Sequence, residues 1–290
     1  MKRKWILTAI LCMLVGMAGM AALGFDANRG ILGSNDSERI AHEQQWSFAA
    51  EELQTLKVEL LSDDLYVQFA DSQDTQGTIT LEGRFDQKVL AQLEQAHIQN
   101  GQLELTMKPE TKISFFNFGN YQSNKSTLTI RMPQHEVLAN LDVRGTSGSY
   151  NLQDVHAGQT SVQLTSGDLN LNNLTADHFT SKMTSGELSI LNATADLELQ
   201  MTSGEIKVDG LHGEGKINAT SGGIHVNQRE AGPLDVSVKS GDVRIETPVG
   251  SQAIYDVRTT SGDIVTPPST PQADHIIKVR ATSGDVVITN

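Results

Sequence analysis

The chain of 290 residues is short of several residue types, and each shortage removes a class of structure or function. It holds one cysteine, so no disulfide framework forms within it and no cysteine-clustered zinc or iron–sulfur site is available. Basic residues number 22 against 35 acidic ones, a formal net charge of -13. A chain this acidic is a poor binder of polyanions, and no nucleic-acid partner is expected. Aromatic residues make up only 5%, and beyond residue 140 there are just Tyr150, Phe179 and Tyr255. The second half also lacks any helical periodicity. With 38% hydrophobic residues the composition is nonetheless that of a globular chain, not a disordered one.

Lys2, Arg3 and Lys4 precede an uncharged stretch from Trp5 to Phe25, long enough as a helix to cross a bilayer. The basic cluster places the N-terminus in the cytoplasm and the remainder outside. The expected partner of residues 5–25 is therefore the membrane. The length favours a retained anchor over a cleaved signal; cleavage near Ala22-Leu23-Gly24 would instead give a secreted protein. Cys12 lies inside the apolar run, and Leu11 before it is too large for a lipoprotein site. Residues 26–50 read as a polar tether with a short amphipathic turn near Trp46 and Phe48.

Residues 51–140 form a strand-rich N-terminal part. Val58 and Leu60, then Leu65, Val67 and Phe69, then Ile79 and Leu81 alternate with polar residues as half-buried strands do. Leu90, Leu93 and Ile98 predict a short helix. Lys112 to Tyr121 holds Phe115, Phe116, Phe118 and Tyr121; this aromatic loop either covers one end of the array described next or offers a patch to a partner or lipid surface.

Residues 141–290 are dominated by a repeat. A Ser-Gly pair recurs at Gly148, Gly167, Gly186, Gly204, Gly222, Gly241, Gly262 and Gly284, separated by 19, 19, 18, 18, 19, 21 and 22 residues. Thr precedes the Ser everywhere except at Lys239, and an acid usually follows the Gly. Apolar residues alternate on both sides, as in Leu197/Leu199/Met201 before Gly204 and Ile206/Val208 after it. Each unit is thus a strand, a Thr-Ser-Gly corner, a second strand and a return loop. The period predicts an all-β fold, a β-solenoid of about eight coils of 18–22 residues with an N-terminal capping region, preceded by one transmembrane helix. The competing geometry puts Ser-Gly at hairpin tips of an antiparallel sandwich or barrel. The longest return loops, with Pro248, Pro267, Pro268 and Pro271, fall near the C-terminal end.

The recurring Thr-Ser-Gly-acid-apolar-x-apolar unit, preceded by Leu128-Thr129-Ile130-Arg131-Met132-Pro133, resembles the bacterial putative-adhesin family with β-strand repeats, a domain of unknown function. The resemblance spans roughly residues 46–290. With its N-terminal anchor the chain is similar in layout to membrane-anchored members encoded beside cell-envelope stress regulators. The family implies a role at the cell surface or envelope, as an interaction module or as an accessory to stress signalling. It supplies no catalytic residues.

The residues themselves point away from catalysis. Asp168, Glu187, Glu205, Asp242, Asp263 and Asp285, each following a corner glycine, would line one outer edge. This acid column is either a solvated edge that blocks sheet association or a ladder for weak divalent-cation binding. The paired-glycine, nine-residue signature of calcium solenoids is absent. A glycan lyase or hydrolase would need carboxylates that depart from the repeat and converge in a cleft, and no such departure is found. The corner serines recur too regularly to be nucleophiles, and the histidines share no spacing. Sequons at Asn124, Asn173, Asn192 and Asn218 have no bearing if the source is bacterial, as the resemblance implies. No cofactor is expected, and the partner is an unnamed protein or cell-wall component.

Overall fold

The computed structural model describes residues 39–70, 72–108 and 124–290. The expected membrane segment, most of the tether and the aromatic loop lie outside them. Among the described residues no helix is long and apolar enough to cross a membrane. They belong to one compact unit, Arg39–Pro109 with Ser123–Asn290.

Period-2 alternation makes nearly all of this unit strand. The repeat region gives β7 (Leu138–Gly145), β8 (Ser149–Leu164), β9 (Asp168–His212), β10 (Gly215–Ser221), β11 (Ile224–Gln228), β12 (Leu234–Ser240) and β13 (Val243–Glu246). It ends with β14 (Ile254–Ser261), β15 (Ile264–Val265), β16 (Ile276–Ser283) and β17 (Val286–Thr289). β9 runs for 45 residues because its backbone bends through the corners at Gly186 and Gly204 without leaving the ladder.

The two strands of a coil pair with neighbouring coils and not with each other. Ile217 of β10 lies opposite Leu199 on one side and Val236 on the other, and Ser221 lies between Ser203 and Ser240, all in parallel. β11 likewise stacks on β13 with Ile224 opposite Val243 and Val226 opposite Ile245. Parallel, in-register stacking of like on like is solenoid geometry; a hairpin meander would pair the strands antiparallel. The sheet is not closed. Inward residues of both strands, from Leu65 and Val67 through Leu152, Phe179, Leu199 and Val226 to Val279 and Ile288, fill one continuous core.

The stack does not stop at the boundary expected near residue 140. β2 (Thr55–Leu60) and β3 (Asp64–Phe69) make a coil without a Thr-Ser-Gly corner, and β5 (Gln102–Met107) with β6 (Lys125–Arg131) makes another. β2 pairs in parallel with β5 and β7, and β3 with β6 and β8. The cap proper lies beyond them. β4 (Gln76–Phe85) runs antiparallel along β6, and β1 (Ile40–Ala49) antiparallel along β4. Helix α1 (Gln87–Gln95) packs on β5 and β4. It starts at Asp86, whose carboxylate accepts from the Lys88 and Val89 amides, and buries Val89 and Leu93.

β1 corrects the expected tether, whose residues Ile40–Ala49 are strand. Trp46 and Phe48 are buried, and the Trp46 Nε1–H donates to the Ala96 carbonyl at 2.8 Å. A buried indole that satisfies its N–H cannot be a free linker residue.

At both ends the order of coils in space departs from their order in the chain. The first coil, β2/β3, sits between β5/β6 and β7/β8. The last, β16/β17, inserts between β12/β13 and β14/β15. β14 and β15 therefore form the far edge, where Ile264 and Val265 are 44% and 55% exposed. The proline-rich return protects part of this edge: the Thr270 amide donates to Ala253 O and the Tyr255 amide to Ser269 Oγ, both at 3.0 Å.

Candidate functional site

The corners set the geometry of the whole surface. All eight corner glycines have φ between 115° and 139°. From Gly167 onward a Cβ would also overlap the carbonyl oxygen of the glycine in the adjacent coil. Each position thus needs glycine twice over, for its backbone and for its neighbour.

The acid column lies along these corners. In space it runs Asp64, Ser149, Asp168, Glu187, Glu205, Gly223, Asp242, Asp285 and Asp263, with the last two exchanged by the swapped coils. Several carboxylates are already committed to backbone. Asp64 accepts from the Ser149 amide at 2.9 Å, Asp168 from the Glu187 amide at 3.2 Å, Asp242 from the Asp285 amide at 2.9 Å, and Asp285 from the Asp263 amide at 2.9 Å. These bonds pin a corner to the next coil. Among the described residues no three His, Cys, Asp or Glu side chains converge as a metal cluster.

A second ladder runs along the return corners. Asp154, Asn173 and Asn192 adopt φ of 53°, 59° and 59°, and Gly210 continues them at 79°. Asn173 Nδ2 donates to Asp154 Oδ1 at 2.7 Å and Asn192 Nδ2 to Asn173 Oδ1 at 3.2 Å. Asn and Asp tolerate the left-handed region because their short polar side chains bond locally.

Two titrating groups cluster at the corner of the β2/β3 coil. Burial pushes the Asp63 carboxyl up, against the lowering effect of Arg39, whose guanidinium lies 3.0 Å away. Burial, with Asp63 and Asp64 beside it, likewise pushes the Tyr150 phenol up. Tyr150 is fully buried and its hydroxyl reaches Ser147 O at 3.4 Å, so the group fills a corner and does not face a cleft.

An open groove of about 820 Å³ crosses five coils. One wall is the residue four before each glycine: Lys182, Gln200, Asn218, Ser237 and Arg280. The other is the residue two before it: Thr184, Thr202, Thr220, Lys239 and Thr282. Side chains two apart on a strand share a face, so the strand sets the walls and the stack repeats them. Three cations line the groove and no carboxylate does. Arg280 is held by Asp256, whose carboxyl that hydrogen bond keeps below its ordinary value.

A family model for Toastrack DUF4097 matches residues 54–289 of this chain. The chain belongs to the Toastrack DUF4097 family. Solved structures similar to it include a putative adhesin from Parabacteroides distasonis, at 14% identity, covering 88% of this chain and 98% of that one, with a TM-score of 0.43. A putative adhesin from Bacteroides fragilis is similar at 14% identity over 86% and 97%, TM-score 0.41. A putative lipid binding protein from Parabacteroides distasonis is similar at 13% identity over 84% and 96%, TM-score 0.36. No curated protein matches the chain.

The surface of this Toastrack domain can hold a ligand by hydrogen bonds and charge. Among the described residues, no carboxylate, cysteine or histidine lines the groove. The groove was missed in the sequence, although a signal for it is there. Four residues before the eight glycines stand Arg144, Gln163, Lys182, Gln200, Asn218, Ser237, Arg258 and Arg280, without one acid in a chain where acids outnumber bases. Comparing every outward column, and not only the one after the glycine, would have exposed it.

Proposed function

We propose that this Toastrack domain is a non-enzymatic binding module of the bacterial cell envelope, held outside the membrane by residues 5–25 and recognising its partner through the groove. The basic cluster and apolar run at the N-terminus support the anchoring. The groove carries the recognition: an open concavity, two lysines without an ion-pair partner and five stacked coils coincide there. The outer acid edge plays a structural part in this reading, and no cofactor or metal enters it.

Cosedimentation of the full-length protein with isolated cell-wall sacculi tests the reading. The protein is expected to pellet with the sacculi and to release no new reducing ends. Protein that stays in the supernatant, or sacculi that gain reducing ends, would refute it.

A further inference from the structure

The groove's chemistry selects a ligand class, and this inference rests on the binding-module reading above. At about 4.8 Å per coil the five coils span roughly 19 Å, so 820 Å³ spread along that length is a section of about 40 Å². That is the girth of one extended polymer chain. A folded protein loop is wider, and a compact small molecule would leave most of the groove empty.

The wall residues are mainly hydrogen-bond donors. Lys182 and Lys239 are exposed, and neither has an ion-pair or side-chain hydrogen-bond partner among the described residues. The cations of the flanking column are already engaged: Lys278 pairs with Asp235 at 2.8 Å and Lys216 with Glu198 at 3.9 Å. The Asn218 amide and the Thr hydroxyls supply further donors between the two lysines, while the Gln200 Nε2 already donates to Glu198 at 3.2 Å and has one hydrogen left to offer. No aromatic ring lines the groove, so a neutral glycan finds no face on which to stack its sugars. What remains is recognition of repeated negative charge.

We infer that the groove binds a linear polymer bearing an anion on each repeating unit, a polyol phosphate or a polyuronate, laid along the coil axis. The net charge of the chain does not forbid this. At physiological ionic strength charges act over about 8 Å; the carboxylates that flank the groove walls, Glu198, Asp235 and Asp256, are paired with Lys216, Lys278 and Arg280, whereas Lys182 and Lys239 keep their charge for a ligand.

The test is equilibrium titration of the full-length protein with poly(glycerol phosphate), polygalacturonate and neutral dextran, using wild type and the double variant Lys182→Gln, Lys239→Thr. Both substitutions copy residues the repeat already uses, Gln200 in the next coil and Thr at the other corners, so the fold is kept; an unchanged thermal midpoint verifies it. The wild type is expected to bind one or both anionic polymers, more weakly as salt is raised, and not dextran. The double variant should bind at least about tenfold more weakly. Which of the two polymers binds decides between phosphate and carboxylate. Equal binding by the variant, equal binding of dextran, or no binding to either anionic polymer overturns the inference. In that last case, cosedimentation with sacculi would leave the binding module standing with a different ligand.

Discussion

Gly204 and Gly223 make opposite demands although both sit at corners. Gly204 has φ of 137° and faces the Gly186 carbonyl, whereas Gly223 has no atom within 4 Å of a built Cβ. Gly204→Ala is expected to destabilise the fold by about 3–5 kcal/mol, and Gly223→Ala to change it by no more than about 0.5 kcal/mol; denaturant midpoints check both. Thr160 presents the reverse case, a side chain 2% exposed whose hydroxyl has no partner. Thr160→Val keeps the shape and removes the orphan, so it should raise stability by about 1 kcal/mol, read as an increase in Tm. The corner glycines were legible in the sequence because one constraint acts identically in every coil. The return corners were not. Asp154, Asn173, Asn192 and Gly210 meet the same backbone demand with three residue types, and two of them read first as sequons.

The strands were readable wherever alternation ran for several residues, and the reading failed where it did not. In β1 only Trp46 and Phe48 are buried, while Ile40 is 48% exposed, which is too short a pattern to separate a cap strand from a tether. The swapped coils left a subtler trace. The spacings of 21 and 22 residues belong to the connections that must pass over a neighbouring coil and return. Residue identities cannot show the exchange, because each coil presents nearly the same face to any other. The insertion predicts that deleting residues 276–290 strips β14 and β15 of the strands they pair with among the described residues, β16 and β17. Amides of 254–261 should then exchange as unfolded chain does, and protection there would contradict the topology. The edge also has an acid dependence. The hydrogen bond from Arg280 holds Asp256 below its ordinary value of 3.8, so its contribution is present above that value and lost as pH falls through the lowered one. Hydrogen exchange in β14 should rise selectively across that acid window, and the Asp256→Asn variant should not show the rise.

For the whole molecule, the net charge of -13 was true and misleading together. It describes an average, and the stack separates what the average merges. The acids following the glycines lie along one edge, several bonded to backbone. The column four residues before the glycines carries cations, amides and a serine. A solenoid turns each sequence position into a stripe, so the sign of one stripe matters more to a ligand than the sum. The most direct measurement is cosedimentation of three full-length proteins with isolated sacculi: wild type, the groove variant Lys182→Gln, Lys239→Thr, and the edge variant Glu187→Gln, Glu205→Gln. If the groove is the recognition surface, wild type and edge variant pellet alike and the groove variant stays in solution. A groove variant that pellets as fully as wild type would contradict the account.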